Sequence, residues 1–203
     1  MELSNSIKSN PKLKALVMWM IIGEGKPRWW VVNMLNRFFH NKGYKSVIRK
    51  HARMDLIPWR MFSVGANTII EDFSCINNQV GEVLIGSNCT IGLSNIIIGP
   101  VKIGNNVITA QHVCLSGLNH GYEDILVPIR DQACSKELIT LEDDCWIGAN
   151  SVIVLGVTIG KHAIVAAGSI VTKDVAPFTI VAGSPAKIIK QYNASTQKWE
   201  KLS

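Results

Sequence analysis

Two stretches of the chain fall into lines of six without a slip. Residues 85–120 read IGSNCT IGLSNI IIGPVK IGNNVI TAQHVC LSGLNH, and residues 141–176 read LEDDCW IGANSV IVLGVT IGKHAI VAAGSI VTKDVA. Each line begins with Ile, Val or Leu, Thr109 being the single exception, and the same register runs back through Val64, Ile70 and Ile76 after three extra residues. Four positions further on the side chain is small or β-branched, as at Thr68, Ser74, Cys89, Val107, Ser151 and Ala163. A helix cannot carry this period, because six is not a multiple of 3.6 and Gly and β-branched residues are dense here. Six is a multiple of two, so short strands keep the leading aliphatic inward in every line. Sandwich strands vary in length and spacing, whereas a fixed register of this kind indicates a solenoid.

At three lines per coil, the fifteen lines make five coils, a prism about 24 Å tall at the strand spacing of a sheet. Stacking buries the aliphatics in one continuous column that a single coil could not bury alone. The glycine that often follows the leading aliphatic, as at Gly65, Gly86, Gly92, Gly104, Gly148 and Gly160, is expected to supply the positive φ of the turn between strands. The period leaves handedness open, and the general crossover preference argues for a right-handed coil.

The chain has 203 residues, 47% hydrophobic and 18% charged, which suits one sizeable domain with an appendage and excludes wholesale disorder. The longest apolar run, Leu13 to Ile22, is ten residues long and contains Lys14, too short to cross a bilayer, and the N-terminus lacks the pattern of a secretory leader. Five cysteines without a CxxC pair argue against a disulfide framework or a zinc knuckle and for a reducing, cytoplasmic setting. The formal charge of +6 is unevenly spread: residues 1–62 hold 12 Lys and Arg against three acids, and residues 63–203 hold nine against 12.

Residues 1–62 form a basic N-terminal region with four of the six tryptophans. Lys12 to Ile22 and Arg28 to Phe39 read as short helices separated by the breaker run Gly23-Glu24-Gly25-Lys26-Pro27. Helical spacing puts Trp30, Met34 and Phe38 on one stripe. This region is expected to cap the first coil and cover its open edge, or to touch an anionic membrane at the inner face of the cytoplasmic membrane, since Lys, Arg and Trp together are an interfacial signature. The two roles are compatible. No nucleic-acid recognition motif appears. Residues 63–176 are the solenoid with an extended loop at 121–140, and 177–203 form a tail.

The repeat over residues 64–176 resembles the hexapeptide repeat of the left-handed β-helix acyltransferases. The segment DDCWIGANSVIVLGVTIGKHAIVAAGSIVTKDVAPFTIVAGSPAKIIK, which ends at Lys190, is similar to the C-terminal signature of the galactoside, maltose and nodulation-factor acetyltransferases. The loop, with its NHGY, PI and Q, is closer to the O-acetyltransferases of bacterial surface polysaccharides. The resemblance implies an all-β, left-handed parallel β-helix, a homotrimer with active sites between subunits, and direct transfer from acetyl-CoA with no metal. The acceptor it implies is a sugar or saccharide hydroxyl in surface-polysaccharide biosynthesis. A nucleotide-sugar N-acyltransferase acting on an amino sugar would use the same coils, and a structural or scaffold solenoid is the non-enzyme alternative. The γ-class carbonic anhydrases share the solenoid but need three histidines at metal-ligand spacing, which this chain lacks. An ice-binding solenoid would show outward Thr ladders, and there are none.

Position alone separates the histidines. His112 and His162 lie three residues after a leading position, at solvent-facing corners, and His40 and His51 have no companion motif. His120 closes the last regular line before the twenty-residue excursion, and excursions from a rigid scaffold are where sites tend to sit. The resembling enzymes keep their catalytic histidine at this point. An imidazole suits the task because its ordinary pKa lets it take the acceptor proton and return one to the CoA thiolate. Cys89 and Cys145 occupy inward positions and read as packing, while Cys114 and Cys134 have no motif. Glu123 is the nearby carboxylate that could orient His120. The resemblance places Asn95 as a substrate-orienting asparagine and Ala149, after Trp146-Ile147-Gly148, as the residue whose backbone N–H faces the thioester carbonyl. Trp146, Gly148, Ala149, Ala167, Thr172, Lys173, Lys187 and Lys190 match positions that hold CoA. Lys187 and Lys190 are arginine in some relatives, and lysine keeps the charge without the bidentate fork.

Overall fold

The computed structural model describes residues 10–201 and is a parallel β-solenoid of six coils with a short helical segment before it. Each coil adds one strand to each of three faces. The first face stacks Asn41–Lys42, Phe62–Val64, Val83–Ile85, Val101–Ile103, Ile139–Leu141 and Thr158–Ile159. The second begins with Val47–Ile48 and runs through Ile69–Ile70, Thr90–Ile91, Ile108–Thr109, Trp146–Ile147 and Ile164–Val165 to Thr179–Ala182. The third runs from Arg53–Asp55 through Cys75–Asn77, Ile96–Ile98, Cys114–Ser116 and Val152–Ile153 to Ile170–Val171. Successive coils pair in parallel with the leading residues aligned, Val64 with Ile85, Ile91 with Thr109 and Ile97 with Leu115. These aliphatics are buried and form one cluster along the whole prism, where truncation of a single Ile to Ala costs about 2–5 kcal/mol.

The solenoid begins one coil earlier than the repeat suggests. Asn41–Lys42, Val47–Ile48 and Arg53–Asp55 pair in parallel with the coil that starts at Phe62, so the boundary drawn at residue 62 falls inside the solenoid. The leading positions of this first coil are Lys42, Ile48 and Met54. A lysine at one of them and four extra residues before Val64 break the visible period.

The glycines after the leading aliphatics have a different purpose from the expected one. Positive φ falls three residues after the leading position, at Asn67, Phe73, Asn88, Ser94, Asn106, His112, Asp144, Asn150 and His162, with values of 55–64°. Asn, Asp and His tolerate that conformation better than most side chains. The glycines are needed because the next coil passes too close. A Cβ on Gly86 would lie 2.3 Å from the Gly104 carbonyl oxygen, and one on Gly148 would lie 2.5 Å from the Ala167 nitrogen. At the corner between first and second faces, side-chain amides form a ladder from Asn67 to Asn88 to Asn106 to Asp144, each rung 3.0–3.2 Å.

The tail extends the second face. After Thr179–Ala182 come the antiparallel strands Lys187–Asn193 and Lys198–Lys201. The rings of His162, Phe178, Tyr192 and Trp199 follow one another with centroids 5.6–6.4 Å apart and tie this hairpin to the last coil.

At the other end, helix α1 (Pro11–Ile21) starts where Asn10 Oδ1 accepts from the Lys12 and Leu13 amides. The breaker run folds as a tight hairpin, Ile22–Gly23 against Lys26–Pro27, turning through Glu24 and Gly25 at positive φ. A wide turn over Val31–Leu35 and a tight one over Asn36–Phe38 follow. Val31 and Asn36 point inward, and Asn36 Nδ2 donates to the Leu56 carbonyl at 2.9 Å. The stripe of Trp30, Met34 and Phe38 does not pack on the first coil; all three are exposed. No helix among the described residues is long and apolar enough to cross a membrane.

Candidate active site

The excursion leaves the corner between third and first faces through a two-stranded neck, Leu118–Asn119 antiparallel to Ser135–Lys136. That register sets His120 opposite Cys134, and the pairing continues with Gly121 N–H donating to the Ala133 carbonyl at 3.1 Å. His120 is exposed, with its Nδ1 3.5 Å from Cys134 Sγ. Glu123 does not reach it: Glu123 Oε2 accepts from the Tyr122 amide instead. Cys134 is therefore the neighbour that the sequence did not reveal. No periodic signal links two residues fourteen apart across a neck. Beyond the neck, Gln132 Nε2 donates to the carbonyls of Asp124 and Val127 and holds the loop in shape. This leaves Ile125 94% and Leu126 89% exposed at its tip.

Two other cysteines and two other histidines lie where the register put them. Cys89 and Cys145 are buried, each with Sγ 3.1 Å from a carbonyl of the next coil. Burial pushes the Cys145 thiol up to about 11 and raises Cys89 as well, which suppresses the reactive thiolate. His112 and His162 lie exposed at corners with φ of 57°.

Asn95 is placed against the expectation for it. Its side chain is fully buried, and Nδ2 donates to the carbonyls of Gly92 (2.6 Å) and Ala110 (2.9 Å) and to Thr109 Oγ1 (3.3 Å). Its Oδ1 accepts from the Val113 amide at 2.8 Å. Every polar atom of the amide is thus spent inside the solenoid, and none is offered to a substrate.

The residues matched to CoA separate into groups. At the corner between first and second faces, the outward N–H groups of Ala66, Ser87, Asn105 and Lys161 are each taken by a side-chain oxygen of an adjacent coil, from Ser87, Asn105, Asp143 and Glu142 respectively. The equivalent residues at the corner between second and third faces are Leu93, Gln111, Ala149 and Ala167, and no protein acceptor among the described residues takes their N–H groups. Ala149 and Ala167 are adjacent in this column, with the Ala149 carbonyl accepting from Gly168 N–H at 2.8 Å. Trp146, half exposed, and the close-packed Gly148 flank them. Lys187 pairs with Ala182 at the end of the same corner. Lys190 pairs with Ile180 on one side and Lys201 on the other, and like charges across a strand pair are unfavourable without an anion between them. Thr172 and Lys173 lie elsewhere, exposed on the corner from which the excursion leaves two coils earlier. From the third coil on, the column of free donors had a signal: two residues after the leading position it carries Leu, Gln, Ala and Ala, where the first corner has the acceptors Ser87, Asn105 and Asp143.

His120 and Ala149 therefore stand at opposite ends of the third face, about six residues or roughly 20 Å of extended chain apart. One chain by itself does not bring the imidazole to the free N–H groups. Among the described residues, no cluster of three or more His, Cys, Asp or Glu could hold a metal ion.

Comparison with known proteins matches this geometry to a family. The model of the hexapeptide repeat of succinyl-transferase fits residues 82–110 and 138–173. The galactoside O-acetyltransferase of Escherichia coli is 31% identical over 187 residues, 90% of this chain and 88% of that protein. A "probable acetyltransferase" of Mycobacterium tuberculosis is 26% identical over 203 residues, and the match spans 64% of its length. Among solved structures, an N-acyltransferase of Bacillus cereus, with dTDP-4-amino-4,6-dideoxyglucose and coenzyme A, shares the fold at 23% identity. Its TM-score is 0.68, over 80% of this chain and 89% of that one. A hexapeptide-repeat acetyltransferase of Vibrio cholerae, solved with acetyl coenzyme A, is 27% identical with a TM-score of 0.53, over 78% of this chain and 75% of that one. The repeat match, and the identity to the galactoside enzyme over nearly the whole of both chains, establish that this chain belongs to the hexapeptide-repeat acetyltransferase superfamily.

Proposed function

We propose that the chain transfers an acetyl group from acetyl-CoA to a sugar-related acceptor, at a site formed where His120 of one chain meets the Ala149–Ala167 corner of another. The observation that carries this reading is the separation of an exposed imidazole from a column of unclaimed backbone N–H groups on the same chain. His120 takes the proton from the acceptor as the acceptor atom attacks the thioester carbonyl carbon. The Ala149 N–H donates to the developing oxyanion, an interaction that strengthens as charge builds on that oxygen. As the tetrahedral centre collapses, the C–S bond breaks and the proton on His120 passes to the departing thiolate. The pantetheine arm would lie along Trp146, Gly148, Ala149 and Ala167, with the phosphates towards Lys187 and Lys190; Thr172 and Lys173, on the other corner of the third face, are left out of this arrangement. A homotrimer satisfies this arrangement three times, and the bare apolar tip at Ile125 and Leu126 would be covered by the neighbour.

The acceptor atom divides the two readings. Transfer to a hydroxyl, in surface-polysaccharide assembly, is supported by the galactoside enzyme. Transfer to an amino sugar carried on a nucleotide has more support, because the Bacillus N-acyltransferase, which shares the fold with a TM-score of 0.68, is bound to an amino-sugar nucleotide and coenzyme A. Release of free thiol from acetyl-CoA, measured with a panel of sugars, amino sugars and their nucleotide conjugates, decides between them. Acetylation of amines alone removes the hydroxyl reading, and acetylation of hydroxyls alone removes the amine reading. No acetyl-CoA dependence with any acceptor overturns both. A fully active monomer in sedimentation would overturn the shared site.

A further inference from the structure

Residues 10–45 hold their large apolar side chains outside. Trp19 is 69% exposed, Trp29 73% and Phe38 86%, and Met20, Met34 and Phe39 are exposed beside them. Among the described side chains of helix α1, only Ile21 is buried. The same segment carries Lys12, Lys26, Arg28, Arg37, Lys42 and Lys45, all exposed, with Arg37 beside Met34 and Phe38, and Glu24 is its one acid. Arg28 donates to the Trp19 carbonyl at 3.4 Å, so the helix and the segment after the hairpin are held together.

We propose that this face docks on the surface of an anionic phospholipid bilayer, with the rings at the headgroup boundary and the lysines and arginines against lipid phosphates. Tryptophan, with an apolar body and one polar N–H, suits that boundary. Each Lys or Arg near an anionic surface strengthens partitioning on the order of fivefold. The eleven residues of α1 span only about 16 Å, so the helix lies on the bilayer and does not cross it. A second copy of the same face is a poor occupant, because seven Lys and Arg to one acid in residues 10–45 on each side repel across a contact. The charge that would disfavour self-association is the charge that anionic lipid complements.

The test is co-sedimentation of the full-length protein with vesicles of phosphatidylcholine alone and of phosphatidylcholine with a quarter phosphatidylglycerol. Binding to the anionic vesicles should exceed binding to the neutral ones by tenfold or more and fall steeply in 0.5 M salt. The triple variant Trp19→Ser, Trp29→Ser, Phe38→Ser and the triple variant Lys12→Glu, Lys26→Glu, Arg37→Glu should each weaken binding at least tenfold. Circular dichroism and sedimentation velocity should stay unchanged. In the wild-type protein, lipids spin-labelled near the headgroup should quench tryptophan emission with anionic vesicles only, a measurement that does not depend on the variants folding. Equal binding to both vesicles, absence of quenching, or folded variants that bind like wild type would overturn the proposal. A change of oligomeric state in the folded aromatic variant would overturn it too, by making the face a contact between copies.

Discussion

Replacing Asn95 with alanine should damage the fold and spare the chemistry. The substitution leaves the Val113 N–H and the Ala110 carbonyl without partners, both now satisfied by the Asn95 amide at 2.8 and 2.9 Å. Asn95 is fully buried, so water cannot replace it without opening the coil. A buried donor or acceptor left unsatisfied costs about 1–3 kcal/mol, and two of them with a small void come to roughly 3–5 kcal/mol. For a chain of this size each kcal/mol lowers Tm by about 2–4 °C, so a loss of roughly 6–20 °C is expected. Thermal melts followed by circular dichroism, at one fixed protein concentration because assembly also contributes, would measure it. Well below the new Tm, the acceptor KM should stay within about twofold, since no atom of the side chain is offered to a substrate. A variant that melts within about 2 °C of wild type while its acceptor KM rises severalfold would refute this account and return Asn95 to the acceptor pocket.

His120→Ala should lower turnover by at least about 10²-fold, the contribution of a positioned general base, with acetyl-CoA affinity by calorimetry little changed; His112→Ala and His162→Ala should be close to silent. Gly86→Ala places a methyl 2.3 Å from the Gly104 oxygen and should destabilise by about 1–3 kcal/mol or more in urea, whereas nothing lies within 4 Å of a Cβ on Gly168 and only its positive φ opposes Gly168→Ala. Brief iodoacetamide treatment of the folded protein at pH 8, read by mass spectrometry, should label exposed Cys134 and leave Cys89 and Cys145 untouched. The Cys145 thiol, raised to about 11, stays protonated until the pH approaches that value. Rapid labelling of Cys145 below pH 9 would contradict its burial.

The fold was legible because stacking imposes one condition on every line of six: an aliphatic at the start, where the coil beneath supplies its cover. Where that condition relaxes the reading fails. The first coil has Lys42 at a leading position and a longer step before Val64, so its strands leave no period. Two other irregularities explain each other. Within the two unbroken runs, Thr109 is the one polar leading residue and Asn95 the one buried amide four positions after a leading residue, and the structure joins them at 3.3 Å. One line shows each as an exception, and only the stacking of two coils shows the bond. His120 could be found because it ends the regular register. Cys134 could not, because a neck of paired strands has no period to announce it. The exposed stripe at Trp30, Met34 and Phe38 has the spacing of a buried helix face, and spacing does not say which surface covers it.

Steps between leading residues are six at the first and second corners throughout the solenoid, but at the third they vary: ten from Met54 to Val64, nine from Ile76 to Ile85 and twenty-six from Leu115 to Leu141. The first corner is laced by amide rungs and close-packed glycines. The second is locked by Ser74, Asn95 and Ser151 reaching the carbonyls of the next coil. Chain can be added at the third edge without touching either lock, because the register resumes on the first face whatever the length of the detour. Variation in substrate choice among proteins built this way would then concentrate on a single edge, and a designer seeking a new acceptor would graft loops there and leave the other two corners alone.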